Sequence, residues 1–334
     1  MLALLGGAAA AAFVLAVSLG PVWIPPADLF LILSGQGSDV AEVTRRIVLE
    51  VRLPRAVMGA CVGALLATSG VLLQGFLRNP LAEPYLLGIS SGAGLAVTAA
   101  IILGLPFVVA GIYVVPVFAF LGALLTLTLV YFLAQFRGRL MVTTLILAGV
   151  VVSAFLSALI MFLASVSTSR FLEILSWLMG HLQPVTRGTE KWILVYTGVG
   201  FAAAWAQARD LNALLVGEDE AASLGVRVEA LKKLLFILAS LLTGIAVSVS
   251  GLIGFVGLVA PHTARLLVGT DHRRLVPAAA LAGAAMLMIA DVAARLVFSP
   301  AELPVGVVTA LVGGPFFLVL LFRHVRELSR VGKR

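Results

Sequence analysis

Apolar residues run along this chain in long blocks, and nearly all of its charge sits in the short clusters between them. The blocks 2–20, 56–77, 85–105, 112–135, 142–166, 190–207, 231–250, 277–297 and 305–322 each approach the roughly 20 apolar residues that a helix needs to cross a bilayer. A further stretch, 252–268, is shorter and holds Pro261, His262 and Arg265, so it reads as a short or partly inserted helix, with Pro261 and His262 at its start. The expected fold class is therefore all-α and polytopic: one transmembrane domain over 1–334 with about ten helices. Met1 to Gly20 carries no basic segment and no clear cleavage site before Pro21, and it reads as a retained first helix.

Composition strengthens this picture. Hydrophobic residues make up 61% of the 334 and charged residues 12%, with a mean hydropathy of +1.13. A soluble protein this apolar has too little polar surface to cover itself, whereas a bilayer removes that requirement. The net charge of +7 and the isoelectric point near 10.2 would suit nucleic acid, but the basic residues lie in short inter-block clusters, as the positive-inside rule describes. With a cytoplasmic N-terminus, 15 of the 23 lysines and arginines face the cytoplasm, including those of the tail 323–334. The expected location is a bacterial cytoplasmic (inner) membrane, with both termini inside. The single cysteine, Cys61, builds neither a disulfide framework nor a thiolate metal site.

Small residues recur at helix-packing spacing: Gly59 and Gly63, Gly88 and Gly92, and Gly251, Gly254 and Gly257. Such faces let helices approach closely in lipid and say nothing about a substrate.

Some polar residues need another explanation. Arg45, Arg46, Arg52 and Arg55 crowd the face on which Arg170, Arg187, Lys191 and Arg295 also fall, where the charge rule disfavours them. They are either helix-end charges balanced by Glu42 and Glu50 or a docking patch for an acidic partner. The stretch Gly217-Glu218-Asp219-Glu220-Ala221-Ala222-Ser223-Leu224-Gly225 opens with three acids and closes with glycine, the signature of a helix too short to span. It is either a surface turn or a lever on which a soluble motor pushes. Asp291 and Arg295, four apart, form an intrahelical ion pair that is sufficient in itself or that orients Arg295 toward a partner. His181 lies in an apolar segment near the outer mouth and is either an interfacial histidine or a transient heme contact. His262 has no second ligand at metal-binding spacing and reads as a packing residue.

The run Arg52-Leu53-Pro54-Arg55, Ser69-Gly70, Gln74 and Arg78-Asn79-Pro80-Leu81-Ala82-Glu83-Pro84-Tyr85-Leu86-Leu87-Gly88-Ile89-Ser90-Ser91-Gly92-Ala93 resembles the permease subunits of ABC importers for ferric siderophores, heme and vitamin B12. The resemblance continues through 217–225, 250–262, Asp271-His272-Arg273, 302–310 and Gly313-Gly314-Pro315. It implies the type II importer permease fold, with ten spanning helices per subunit and a second copy, a homodimer by default, completing the path. It further implies two ATP-binding subunits that hold ATP and magnesium, and a periplasmic binding protein that delivers the chelate. Gly217 to Gly225 matches the helix that contacts the ATPase, placing a coupling helix at about 217–226. Arg52, Arg55 and Arg295 match positions that meet acidic residues on the binding protein. Thr143 and Thr144 fall near the cytoplasmic gate, in a stretch, Met141-Val142-Thr143-Thr144, that departs from the B12 permease pattern.

The residues weigh against two rival classes, of which a self-sufficient secondary transporter of a small solute stays the alternative. No GxxxxGK[ST] loop is present, so ATP hydrolysis belongs to another chain and this one is not itself an enzyme. A self-sufficient secondary transporter needs buried ionisable residues, and Asp291, the one deep enough to consider, has Arg295 to neutralise it. Four scattered histidines and one cysteine supply no nucleophile–base pair and no resident metal or cofactor site.

Overall fold

The computed structural model describes residues 1–36, 40–105, 108–109, 112–137, 139–182 and 189–331. The side chains of the basic tail expected over 323–334, and Arg187, lie outside the described residues. The chain is a helical bundle: α1 (Leu2–Ser18), α2 (Pro26–Leu33), α3 (Glu42–Arg46), a π-helical stretch (Ile47–Arg52), α4 (Leu53–Phe76), a 3-10 turn (Pro84–Leu87), α5 (Ile89–Ile102), α6 (Val114–Ala134), α7 (Val142–Val166) and α8 (Phe171–Leu178). Then follow α9 (Thr189–Ala206), α10 (Ala208–Val216), α11 (Glu218–Ser223), α12 (Val228–Ser250), α13 (Val256–Val268), α14 (His272–Leu296) and α15 (Val305–Val331). Two short antiparallel pairs, β1 (Val108–Val109) with β2 (Ile112–Tyr113) and β3 (Gln135–Phe136) with β4 (Arg139–Leu140), precede α6 and α7. Among the described residues, six helices are long and apolar enough to cross a membrane: Glu42–Phe76, Val114–Ala134, Val142–Val166, Val228–Ser250, His272–Leu296 and Val305–Phe322. Leu2–Ser18, Ile89–Ile102 and Val256–Val268 are apolar but shorter.

α4 is the axis of the bundle, packed by α14, α12, α13 and α9, while α5, α6 and α7 form a second group that α12 joins through α6. Glycine sets how closely these helices cross. A methyl group at Gly63 would overlap the Gly283 carbonyl of α14, one at Gly70 the Gly257 carbonyl of α13, and one at Gly92 the side chain of Thr126 and the Gly122 carbonyl of α6. Of the other glycines singled out in the sequence, Gly251 and Gly257 are crowded in the same way, Gly59 and Gly88 less so, and Gly254 not at all.

Two boundaries differ from the sequence reading. The helix expected from 56 starts at Glu42, so the arginine-rich stretch lies within the helix rather than at its end. Pro54 is accommodated because the preceding turns run in π register, with the Leu53 amide bonded to the Val48 carbonyl. Pro261 does not begin its helix but sits inside α13, and Pro277 sits inside α14. A proline leaves the carbonyl four residues earlier without its amide partner. Here the Gly257 carbonyl accepts from Gln74 Nε2 at 3.4 Å and the Arg273 carbonyl from Trp205 Nε1 at 2.9 Å.

Gly63→Val should separate α4 from α14 and lower stability by about 1–3 kcal/mol or more, the range for overpacking. Gly198→Ala, where no atom lies within 4 Å of an added methyl, should leave stability unchanged or raise it. Thermal unfolding of both variants in detergent checks the pair, and equal melting temperatures would contradict the crossing geometry.

Candidate functional site

The polar side chains gather at the two ends of α4. At the first end, α1 stops at Ser18 with its last carbonyls turned inward, and two arginines supply their donors. Arg52 Nη1 donates to the carbonyls of Val17 at 3.2 Å and Ser18 at 2.6 Å, and its Nη2 donates to Val22. Arg295 donates to Ala16 and Leu19, each at 2.9 Å. Cationic donors at a helix C-terminus satisfy orphan carbonyls and match the helix dipole. Gly20 leaves the room that the Arg52 guanidinium occupies.

Arg55 completes the cluster. Its Nε meets Asp291 Oδ1 at 2.9 Å and its Nη1 meets Glu302 Oε2 at 2.8 Å, while Asp291 Oδ2 takes Arg295 Nε at 3.1 Å. Arg52, Arg55, Arg295 and Asp291 are all buried. The Asp291–Arg295 pair read from the sequence is therefore present, but Asp291 serves two arginines. The cluster brings together the three positions expected to dock a partner and commits their charges within the chain, while Arg45 and Arg46 remain exposed beside it. Glu302 was legible only as part of a motif, with no sign of its role.

His181 is half-buried near this end. Its amide donates to the Ser250 carbonyl at 2.8 Å. Burial pushes its imidazole below the ordinary histidine range, a hydrogen bond with the Ser176 backbone opposes this, and the Arg55 charge adds to the lowering. Its neighbour in space is a break in the bundle. α12 ends at Ser250 and α13 begins at Val256, so residues 251–255 are unwound within the apolar interior. Tyr85 Oη accepts from the Ile253 amide at 2.9 Å and donates to the Ile253 carbonyl at 2.8 Å, and Glu83 accepts from the Phe255 amide. Phe255 holds φ +66, a left-handed conformation rare outside glycine, and its side chain fills the space beside Gly313. Unwound backbone buried among helices persists only where it is satisfied in this way.

The second end carries the short acidic helix. α11 spans Glu218–Ser223 and closes with Gly225 at φ +86, the Gly225 amide bonding to Ala222 and the Val226 amide to Ala221. This is the paired pattern of a glycine-terminated helix, as the spacing of 217–225 predicts. Leu224 and Val216, at 73% and 72% exposure, flank the acids. Glu218 lies 3.9 Å from Arg78, at the exit of α4, and 2.5 Å from the buried Lys232 of α12. Lys232 also meets Glu229 at 3.3 Å. Glu229 accepts from the Leu140 amide at 3.2 Å, two residues before α7. Thr143 and Thr144 occupy the first turn of α7, Thr143 exposed and Thr144 half-buried. Lys232 and Glu229 were not singled out in the sequence. Their i,i+3 spacing signals a pair, but the reach to Glu218 and Leu140 is not local. Nearby, Asp271 caps α14 by accepting from the Arg273 amide at 3.0 Å and also takes Asn212 Nδ2 at 2.6 Å.

The profile of the FecCD transport family matches residues 8–323. The cobalamin import system permease BtuC of Halobacterium salinarum is 48% identical over 290 residues, 86% of this chain and 77% of the relative. The hemin transport system permease HmuU of Yersinia pestis is 43% identical over 289 residues, 84% of each chain. A solved structure described as an inward-facing conformation of a metal-chelate type ABC transporter superposes with a TM-score of 0.84 at 32% identity, covering 96% of this chain and 98% of that one.

Asp291→Asn should leave two guanidiniums in the buried cluster short of counter-charge and cost about 3–5 kcal/mol, the range for breaking a buried pair from one side. Thermal unfolding in detergent reads this, and a variant as stable as the wild type would show that the cluster does not hold the α1 terminus in place.

Proposed function

The chain belongs to the FecCD transport family, and on that premise we propose that it is the membrane-spanning permease of an ATP-driven importer for a bulky chelate: vitamin B12, heme or a ferric siderophore. Relatives named for cobalamin and for hemin at similar identity support the class and leave the cargo open between them. The observation that carries the reading is α11: a short acidic helix at the bundle end, between two helical segments, flanked by exposed Leu224 and Val216. An acidic helix with an apolar rim is a surface built for a protein partner. Two ATP-binding subunits, holding ATP and magnesium, contact this helix on each of two permease copies, and the ten-helix count per copy belongs to the same reading. The end bearing α11 faces the cytoplasm, as does the N-terminus, and the membrane is the bacterial inner membrane.

The mechanism is conformational. A periplasmic binding protein delivers the chelate at the end bearing Arg52, Arg55 and Arg295. Because those arginines already hold internal acceptors, acidic residues of the binding protein must compete with a carboxylate or a helix terminus for them. Docking is then coupled to the position of α1 and of the loop at Glu302. ATP binding displaces α11, and Thr143 and Thr144 lie where the path opens inward. His181 lines the approach near Arg55. A ligand shifts such an equilibrium only by its differential affinity for the two states.

The test is ATPase activity of the purified permease–ATPase complex in lipid, with binding protein loaded in turn with hemin, cobalamin and a ferric hydroxamate. One loaded form should raise the rate several-fold, and Leu224→Glu should abolish copurification of the ATPase. Transport by this chain alone in liposomes would assign it to secondary transport instead.

A further inference from the structure

Lys232 is buried, with 6% of its side chain exposed, and sits between two carboxylates from different elements. Glu218, at 2.5 Å, belongs to α11. Glu229, at 3.3 Å, belongs to the first turn of α12 and holds the Leu140 amide of β4 with its other oxygen at 3.2 Å. β4 continues through Met141 directly into α7, and the Met141 amide is bonded back to the Ala134 carbonyl of α6 at 3.2 Å. The β3–β4 pair is thus a short link at the foot of α7. α11 packs chiefly on α10 and α12, and β4 packs on α12. The polar chain Glu218–Lys232–Glu229–Leu140 therefore runs from the acidic helix to the foot of α7 through one buried ammonium.

We propose that Lys232 is a positioning residue that transmits displacement of α11 to the first turn of α7, and so to Thr143 and Thr144. The proposal rests on the importer reading above. Three features carry it. Lysine is an extended side chain with three donors on one point charge, so it can hold two carboxylates at once. Burial makes its separation from both carboxylates costly, because a lone ammonium in an apolar interior keeps its desolvation penalty and loses its attraction. The contact of Glu218 with Arg78, by contrast, is long at 3.9 Å and half-exposed, and a pair of that kind contributes little. When α11 moves, the weak contact to Arg78 yields, and the strong one draws Glu229 and the β3–β4 pair along.

The test uses the whole complex in proteoliposomes with binding protein loaded with hemin, cobalamin or a ferric hydroxamate, reading substrate moved per ATP hydrolysed. Lys232→Met should lower that ratio at least fivefold, and Lys232→Arg should restore most of it. Should Lys232→Met not assemble, Glu218→Gln, altered on a half-exposed side chain, should lower the ratio in the same direction. A second readout follows amide hydrogen exchange over α11 and over the first turn of α7, with no residue replaced by a label. On adding ATP, exchange should change at both segments in the parent complex, while in Lys232→Met or Glu218→Gln it should change only at α11. An unchanged ratio in Glu218→Gln, or a joint change at both segments in either variant, overturns the relay. Absence of ATP-driven transport in the parent complex would instead overturn the importer reading, so the two failures are distinguishable.

Discussion

A bilayer offers no water to an exposed amide or carbonyl, so each backbone group that a helix leaves unpaired must be satisfied by the protein itself. In this chain that demand accounts for several of the polar side chains found between helices. Gln74 donates to the carbonyl that Pro261 orphans, and Trp205 to the one that Pro277 orphans. Arg52 and Arg295 finish the open end of α1. Tyr85 and Glu83 hold the unwound strand between α12 and α13. Each of these side chains reaches a backbone group far away in sequence, and where that group is buried, as for Gln74 and Arg52, removing the side chain leaves it unpaired rather than merely deleting a contact.

The same demand explains why the arginine cluster needs its acids. Arg52 and Arg295, drawn inward to serve carbonyls, place like charges near each other and near Arg55; Asp291 pairs with Arg295 and Arg55, and Glu302 takes the outer edge of Arg55. The result ties α1, α4 and α14 at one end, and the Gly63–Gly283 crossing ties α4 to α14 further along. The α5–α7 group is built differently. The apolar window of α7 is only 22% buried within the chain, against 83% for Glu42–Phe76, and that of Val305–Phe322 is likewise 22% buried, so the outer helices leave most of their apolar side chains uncovered by the chain itself.

Much of this was legible in the sequence because the bilayer imposes length and apolarity locally. The block 142–166 coincides with α7, and the short block ending at 268 was recognised as something other than a full span. The misreadings share one cause. Residues 45–55 fall outside the apolar block that begins at 56 because they are charged, but two of those charges, Arg52 and Arg55, serve groups on α1, α14 and the loop after it, and the helix runs on beneath them. Pro261 looks like a helix start because proline usually is one, and only the presence of Gln74 nearly two hundred residues away makes an interior position acceptable. The acidic helix was legible complete, since acids at its start and glycine at its end are both local signals. Its connection to Lys232 and Leu140 was not, since that depends on how α12 is seated.

The two ends of α4 therefore differ in kind. At the Arg55 end the ion pairs are buried, share acceptors and close on a helix terminus, so moving any member exposes several unpaired groups together. At the Glu218 end the pairs form an open chain in which Glu218, Glu229 and Arg78 are each partly exposed and Lys232 alone is buried. Water can replace the exposed partners at small cost, but it cannot easily reach Lys232. In the relay proposed above, a force applied at α11 meets little resistance until it reaches that lysine. The two charge clusters thus differ in how burial is distributed among their members, closed and shared at the Arg55 end, open and concentrated on one side chain at the Glu218 end.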